Sequence, residues 1–171
     1  MRMGGKVAAA VAVILLAAGS AAAATADAPR KPDGSTPLMS ATFEGDVAEV
    51  GRLLKEGADV KATNSYGVNA MQLAADTANT ELIRLLLKAG ADPESPNPDG
   101  ETALHLVARS GNVEAAKLLL KAGAKVNSRE RFGEQTPLMW AAARRHPEMV
   151  ELLLSKVRTS TREAQSATTS V

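Results

Sequence analysis

Four glycines stand 33 residues apart: Gly34, Gly67, Gly100 and Gly133. A chain that repeats itself at such an interval is built from like units stacked on their neighbours, because one short unit cannot bury its own apolar face. Two or three residues after each glycine comes a similar group: Thr36-Pro37-Leu38, Asn69-Ala70-Met71, Thr102-Ala103-Leu104 and Thr136-Pro137-Leu138. Further on, Leu53-Leu54, Leu86-Leu87, Leu119-Leu120 and Leu153-Leu154 recur, followed by Gly57-Ala58-Asp59, Gly90-Ala91-Asp92 and Gly123-Ala124-Lys125 in the first three units. The fourth unit holds one extra residue, Glu134 or Gln135, between its Gly and its Thr.

Each unit reads as two short helices and a turn. A Thr beside a Pro starts a helix, since its hydroxyl accepts from an orphan backbone N–H and Pro suits the first helical position. Thr36 and Thr136 meet both conditions, and Thr102, followed by Ala103, takes the same structural role at its helix start. Gly45 and Gly111 close first helices. The second helices carry apolar residues at helical spacing, with Leu86 and Leu119 among the core positions. Helices are expected near 36–44, 47–55, 69–77, 80–88, 102–110, 113–121, 137–145 and 148–155. Aromatic residues make up only 2% of the chain, so the core is left to Ala, Leu, Val and Met, the material of close-packed helices rather than of a sandwich or barrel.

This pattern resembles the ankyrin repeat, most clearly over residues 100–126, GETALHLVARSGNVEAAKLLLKAGAKV. The resemblance covers about residues 33–156 and implies an all-α ankyrin-repeat solenoid of four helix-turn-helix repeats (33–65, 66–98, 99–131, 132–156) with exposed hairpin-like turns. Units two and four depart from it locally: Asn69 stands for the Thr, and Ala78 and Arg145 for the Gly that closes the first helix. It further implies that His105 hydrogen-bonds with Thr102 and nearby backbone, and that a partner protein meets the turn tips and the exposed face of the first helices. The positions matching that strip are Tyr66, Val68, Asp99, Glu101, Phe132 and Glu134 at the tips, with Asp33 and Ser35 before them. At the ends of the first helices stand Phe43 and Glu44, Asp76 and Thr77, Arg109 and Ser110, and Arg144 and Arg145. Aromatic rings at loop tips are frequent interface anchors; the competing reading folds Tyr66 and Phe132 back over the neighbouring turn. Trp140 replaces a first-helix Leu and is expected to pack between repeats, and His146 to be a solvated loop residue.

Catalysis finds little support. The chain has no cysteine, which excludes disulfides, thiolate chemistry and Cys-ligated zinc, and two histidines some 40 residues apart make a poor metal set. The glycines occur singly rather than in a phosphate-cradling cluster. No enzymatic activity, cofactor or metal is expected.

The first 26 residues have another character. Arg2 and Lys6 precede a continuous apolar run from Val7 to Ala18, and small residues fill Ala21 to Ala26. Basic, apolar, then small is the order of a secretory signal peptide, and the run falls short of the ~20 residues that span a bilayer. Cleavage is expected before Asp27, with cleavage after Ala24 or an uncleaved anchor as alternatives. Residues 27–32 are then a linker, and the protein is periplasmic or secreted, touching a membrane only in transit. Without Arg2 and Lys6 the charges are 18 basic against 19 acidic, a balance that does not suggest nucleic-acid binding.

The C-terminal end breaks the pattern. The fourth unit stops at Lys156 where its predecessors continue with Gly-Ala, and its apolar second helix suits a further repeat rather than the polar outer face of a terminal one. Residues 157–171 are expected to be a disordered tail, and the uncovered end to favour self-association. Val157 to Arg162 can be encoded by bases that spell Gly-Ala-Asp-Val-Asn-Ala one base earlier, so a shifted reading frame is expected there. The functional expectation is thus an exported module that binds another protein. The rivals are a structural or protective subunit of an exported enzyme, and an enzyme with an unrecognised site.

Overall fold

A computed structural model of the chain describes residues 30–168. The expected signal peptide lies outside the described residues, as does the linker before Arg30. Among the described residues there are eight helices in four pairs: α1 Pro37–Glu44 and α2 Val47–Lys55, α3 Ala70–Asp76 and α4 Thr80–Lys88, α5 Ala103–Ser110 and α6 Val113–Lys121, α7 Pro137–Ala143 and α8 Pro147–Thr168. The expected all-α repeat solenoid is what forms.

The helix starts follow from their caps. Thr36 Oγ1 accepts the Met39 N–H at 3.2 Å and Thr136 Oγ1 the Met139 N–H at 3.4 Å, each with Pro as the next residue. In repeat two the substituted pair closes a reciprocal cap: Asn69 Oδ1 accepts from Gln72 N and Gln72 Oε1 from Asn69 N, both at 3.0 Å. The second helices begin at Asp46, Asn79 and Asn112, each capping the N–H three residues on.

First helix packs on first helix and second on second along the stack. The core is one ladder of small and aliphatic side chains. Leu38, Met71 and Leu104 occupy one rung position, and Val50, Ile83 and Ala116 another, all at most 2% exposed. Leu82, Leu86 and Leu119 are fully buried, and burying a leucine contributes about 1.5–3 kcal/mol. The turns between repeats are hairpin-like, with one antiparallel bridge among the described residues, between Thr63 and Asn69.

Two expectations need correction. The tail expected from residue 157 is not irregular: α8 runs on from Pro147 to Thr168, more than twice the length of any other helix. The cause lies in the sequence. Residues 156–168 contain neither glycine nor proline, so nothing stops the helix where Gly57, Gly90 and Gly123 stop the others. His146 is not a solvated loop residue either. It stands ten residues after Thr136, the place held by Asn112 in repeat three, and is half-buried with Nε2 3.1 Å from the Arg109 carbonyl oxygen. Its ring lies so close to Gly111 that a Cβ there would sit 2.6 Å from Nδ1, so a larger residue at that position would have to displace the ring.

Candidate functional site

The candidate surface has two rows of side chains, one along the turn tips and one along the first helices. The tips are shaped by an anchor residue at a constant place in each turn. Asn64 Oδ1 accepts the N–H groups of Tyr66 and Val68, both at 3.0 Å, and Asn97 Oδ1 those of Asp99 and Glu101 at 3.0 and 2.9 Å. In repeat four the anchor is Glu130, which sequence reasoning missed. Its carboxylate accepts from Phe132 N and Gly133 N at 2.7 Å and from Gln135 N at 3.0 Å, and the residue is only 7% exposed. The N–H groups of Gln135, Phe132 and Gly133, aided by His105, hold its pKa below the ordinary 4.5. The extra residue of this turn is Glu134, which takes a positive φ of 51° and lies 3.7 Å from Arg129. The positional signal was available, since Glu130 stands 33 residues after Asn97.

The tips touch one another through backbone. Ser65 N donates to the Asp33 carbonyl and Arg131 N to the Asp99 carbonyl, at 2.9 and 2.8 Å. Their ring side chains do not fold back: Tyr66 is 68% exposed and Phe132 84%. Val68 and Glu101 are half-buried, with Glu101 accepting from Asn97 Nδ2 at 2.8 Å, whereas Asp99 faces solvent.

Behind the tips, the first helices are held by polar bridges between repeats. His105 is fully buried. Its Nδ1 accepts from Thr102 N at 3.1 Å and lies 3.0 Å from Thr102 Oγ1, so the ring is protonated at Nε2, which donates to the Gln135 carbonyl at 3.0 Å. Burial pushes its pKa below the ordinary 6.5, against the Gln135 carbonyl and the Glu101 and Glu130 carboxylates. Gln72, at the same place in repeat two, donates instead within its own repeat, to the Ser95 carbonyl at 3.2 Å.

The helix row runs through Phe43, Asp76 and Arg109, one residue from each successive repeat, and Asp76 and Arg109 form an ion pair. The Arg109 guanidinium also lies 5.6 Å from the centre of the Trp140 ring, a cation–π distance. Trp140 meets His105 edge-on, with centroids 5.8 Å apart, and its buried Nε1 has no hydrogen-bond partner. The fourth place in the row belongs to Ala143; Arg144 falls one residue further on, as the C-cap of α7. As expected of the exposed end of a first helix, Arg144 faces solvent. At the other end, Phe43 is 70% exposed and walls a pocket of about 270 Å³ over Met39 and Leu73, with Lys31 and Asp33 at its rim.

Among the described residues no group of three His, Asp or Glu side chains is placed to hold a metal ion, and no helix is long and apolar enough to cross a membrane. The buried histidine is committed to structure at both ring nitrogens.

No curated protein matches the chain. A family model of ankyrin repeats in three copies matches residues 7–97 and again residues 79–163. The first match begins inside the apolar run, ahead of the described residues. Ankyrin repeats are in general protein–protein interaction modules and typically not enzymes. With the period, the paired helices, the buried His105 bridge and a family match over most of its length, the chain belongs to the ankyrin-repeat family.

Proposed function

We propose that the protein binds another protein along the strip formed by its turn tips and first helices, and that it does so after export. The observation that carries the binding reading is the pair of rings at the tips: Tyr66 and Phe132 stand in solvent on turns whose backbones are pinned by Asn64 and Glu130. A large ring held out on a rigid support loses little conformational freedom on binding. The strip is also polar along its length. Charges of both signs are interspersed along it: Asp33, Glu44, Asp76, Asp99 and Glu134 stand among Arg109, Arg144 and Arg145. A photo-crosslinking residue placed at Tyr66 or Phe132 is expected to capture the same partner, and one at Lys117, on a second helix, to capture nothing. Equal capture from Lys117 would place the interface elsewhere.

Export rests on the basic, apolar and small-residue order of residues 1–26. A second reading is favoured by one observation. Leu15-Leu16-Ala17-Ala18-Gly19 repeats the Leu-Leu-x-x-Gly order of Leu53 to Gly57, and the family match starts at residue 7. On that reading residues 7–19 are repeat sequence retained in the working protein. N-terminal sequencing from the producing cell separates the two: a start at Asp27 or Thr25 supports export, and an intact Met1 supports the second reading.

A further inference from the structure

The stack ends on an apolar face. In repeat three, Leu104, His105, Ala108 and Ala116 are each 0% exposed because repeat four covers them. The same places in repeat four hold Leu138, Met139, Ala142 and Val150. Met139 is 52% exposed and Ala142 also lies open, with Leu138 and Val150 half-buried beside Leu154, which is 44% exposed. A terminal repeat ordinarily turns a polar face outward. These side chains instead have the character of an interior repeat that lacks its neighbour.

We propose that the occupant of this face is a fifth repeat, encoded directly after Lys156 in a reading frame displaced by one base. The peptide from Val157 to Arg162 carries the signature. Val-Arg-Thr-Ser-Thr-Arg can be written GTG CGG ACG TCA ACG CGN; with a G before it and read one base earlier, it becomes GGT GCG GAC GTC AAC GCG, or Gly-Ala-Asp-Val-Asn-Ala. The second and third bases of every shifted codon are the first and second bases of a codon in the present frame. The protein sequence therefore constrains them, and all six codons fit.

The shifted peptide closely matches what this chain uses at the same place, five residues of six in repeat one and four of six in repeat three. Repeat one continues Gly57-Ala58-Asp59-Val60-Lys61-Ala62, and repeat three Gly123-Ala124-Lys125-Val126-Asn127-Ser128. Its glycine falls three residues after Leu154, as Gly57, Gly90 and Gly123 fall three after Leu54, Leu87 and Leu120. Those glycines have φ of 86°, 89° and 99° and end their helices by turning the chain toward the next repeat. Read in the present frame, the chain has no such residue, and α8 runs straight past the turn. One lost G accounts together for the missing stop, the overlong helix and the bare face.

The gene tests this first. Codon 156 and codons 157–161 must end in G, G, G, G, A and G, with Arg158 and Arg162 as CGN and Ser160 as TCN, and the shifted frame must stay open for a further helix pair. Any other bases, or an early stop, overturn the proposal. The second test expresses the full chain from the gene as it stands and from the gene with one G inserted after codon 156. Peroxide oxidation of Met139, followed by mass spectrometry, is expected to slow at least several-fold in the second protein. Unchanged oxidation of Met139 means that the added residues do not cover the face and overturns the docking. If the bases do not spell the repeat and the first protein sediments as a dimer that Leu154→Glu dissociates, the occupant is a second copy of the chain and the proposal fails.

Discussion

Repeats three and four differ less in their residues than in their company. His105 and Met139 occupy the same place on the first helix, as do Ala108 and Ala142, yet one of each pair is sealed and the other faces water. Being fourth rather than third in the row exposes these side chains, not any change of backbone. In a solenoid the burial of a residue is thus a property of the interface that its neighbour supplies. Equal substitutions in the two repeats should have very unequal effects, and the largest contrast is the place to break this account.

Leu119→Asp puts an unpaired charge between α6 and its neighbours and should unfold the stack, whereas Leu154→Asp, one residue beyond the fully buried counterpart Leu153 and itself 44% exposed, should leave it folded. Circular dichroism melts of the two variants decide it; a stable Leu119→Asp protein would contradict the register. Next, His105→Ala removes the Gln135 bridge and opens a cavity, at about 2–4 kcal/mol, while Met139→Ala should cost less than about 1 kcal/mol. The histidine also predicts a pH slope. Its folded pKa lies below 6.5, so the neutral ring stabilises fully above that pH, and the contribution is lost as pH falls because the unfolded imidazole takes up a proton first. Denaturant melts between pH 7 and 5 should show a slope that His105→Gln abolishes. Glu130 adds a second acid-side loss, present above about 4.5 and withdrawn as its carboxylate is protonated in stronger acid.

The comparison extends to binding. Tyr66→Ala, in an interior repeat, and Phe132→Ala, in the last, should together weaken partner affinity about tenfold or more and lower the melting temperature by only a few degrees. Loss of stability in step with affinity would make the rings structural. The smallest effect concerns Ala78, which takes a φ of 51° where repeats one and three use glycine. Ala78→Gly should raise stability by up to about 1 kcal/mol, a gain readable in urea titrations; no gain would mean that the left-handed backbone there carries no strain.

Most of the architecture was open to reading from the sequence because period, caps and Leu-Leu pairs repeat at fixed offsets, and seven of the eight helices fall within two residues of their expected ends. What escaped lies where the offset changes. The extra residue at Glu134 disguised His146 as a loop residue. Glu130 was passed over because the place has Asn in the two preceding turns and because nothing local marks a carboxylate as enclosed. The end of α8 was misjudged for a different reason: a Ser- and Thr-rich composition argued for disorder, while the lack of any stop residue counted for more.

Glu130 also bears on how such a protein acquires new specificity. The fourth turn is one residue longer than its sisters, yet it is as firmly anchored, because a side chain longer by one methylene, with two acceptor oxygens, reaches three N–H groups of the enlarged loop, those of Phe132, Gly133 and Gln135. An insertion that would otherwise leave a floppy finger is absorbed by one substitution at the root. Tips in this scaffold can therefore change length and carry a different ring outward while the helices beneath keep their places, so the loops are free to vary in reach as well as in sequence.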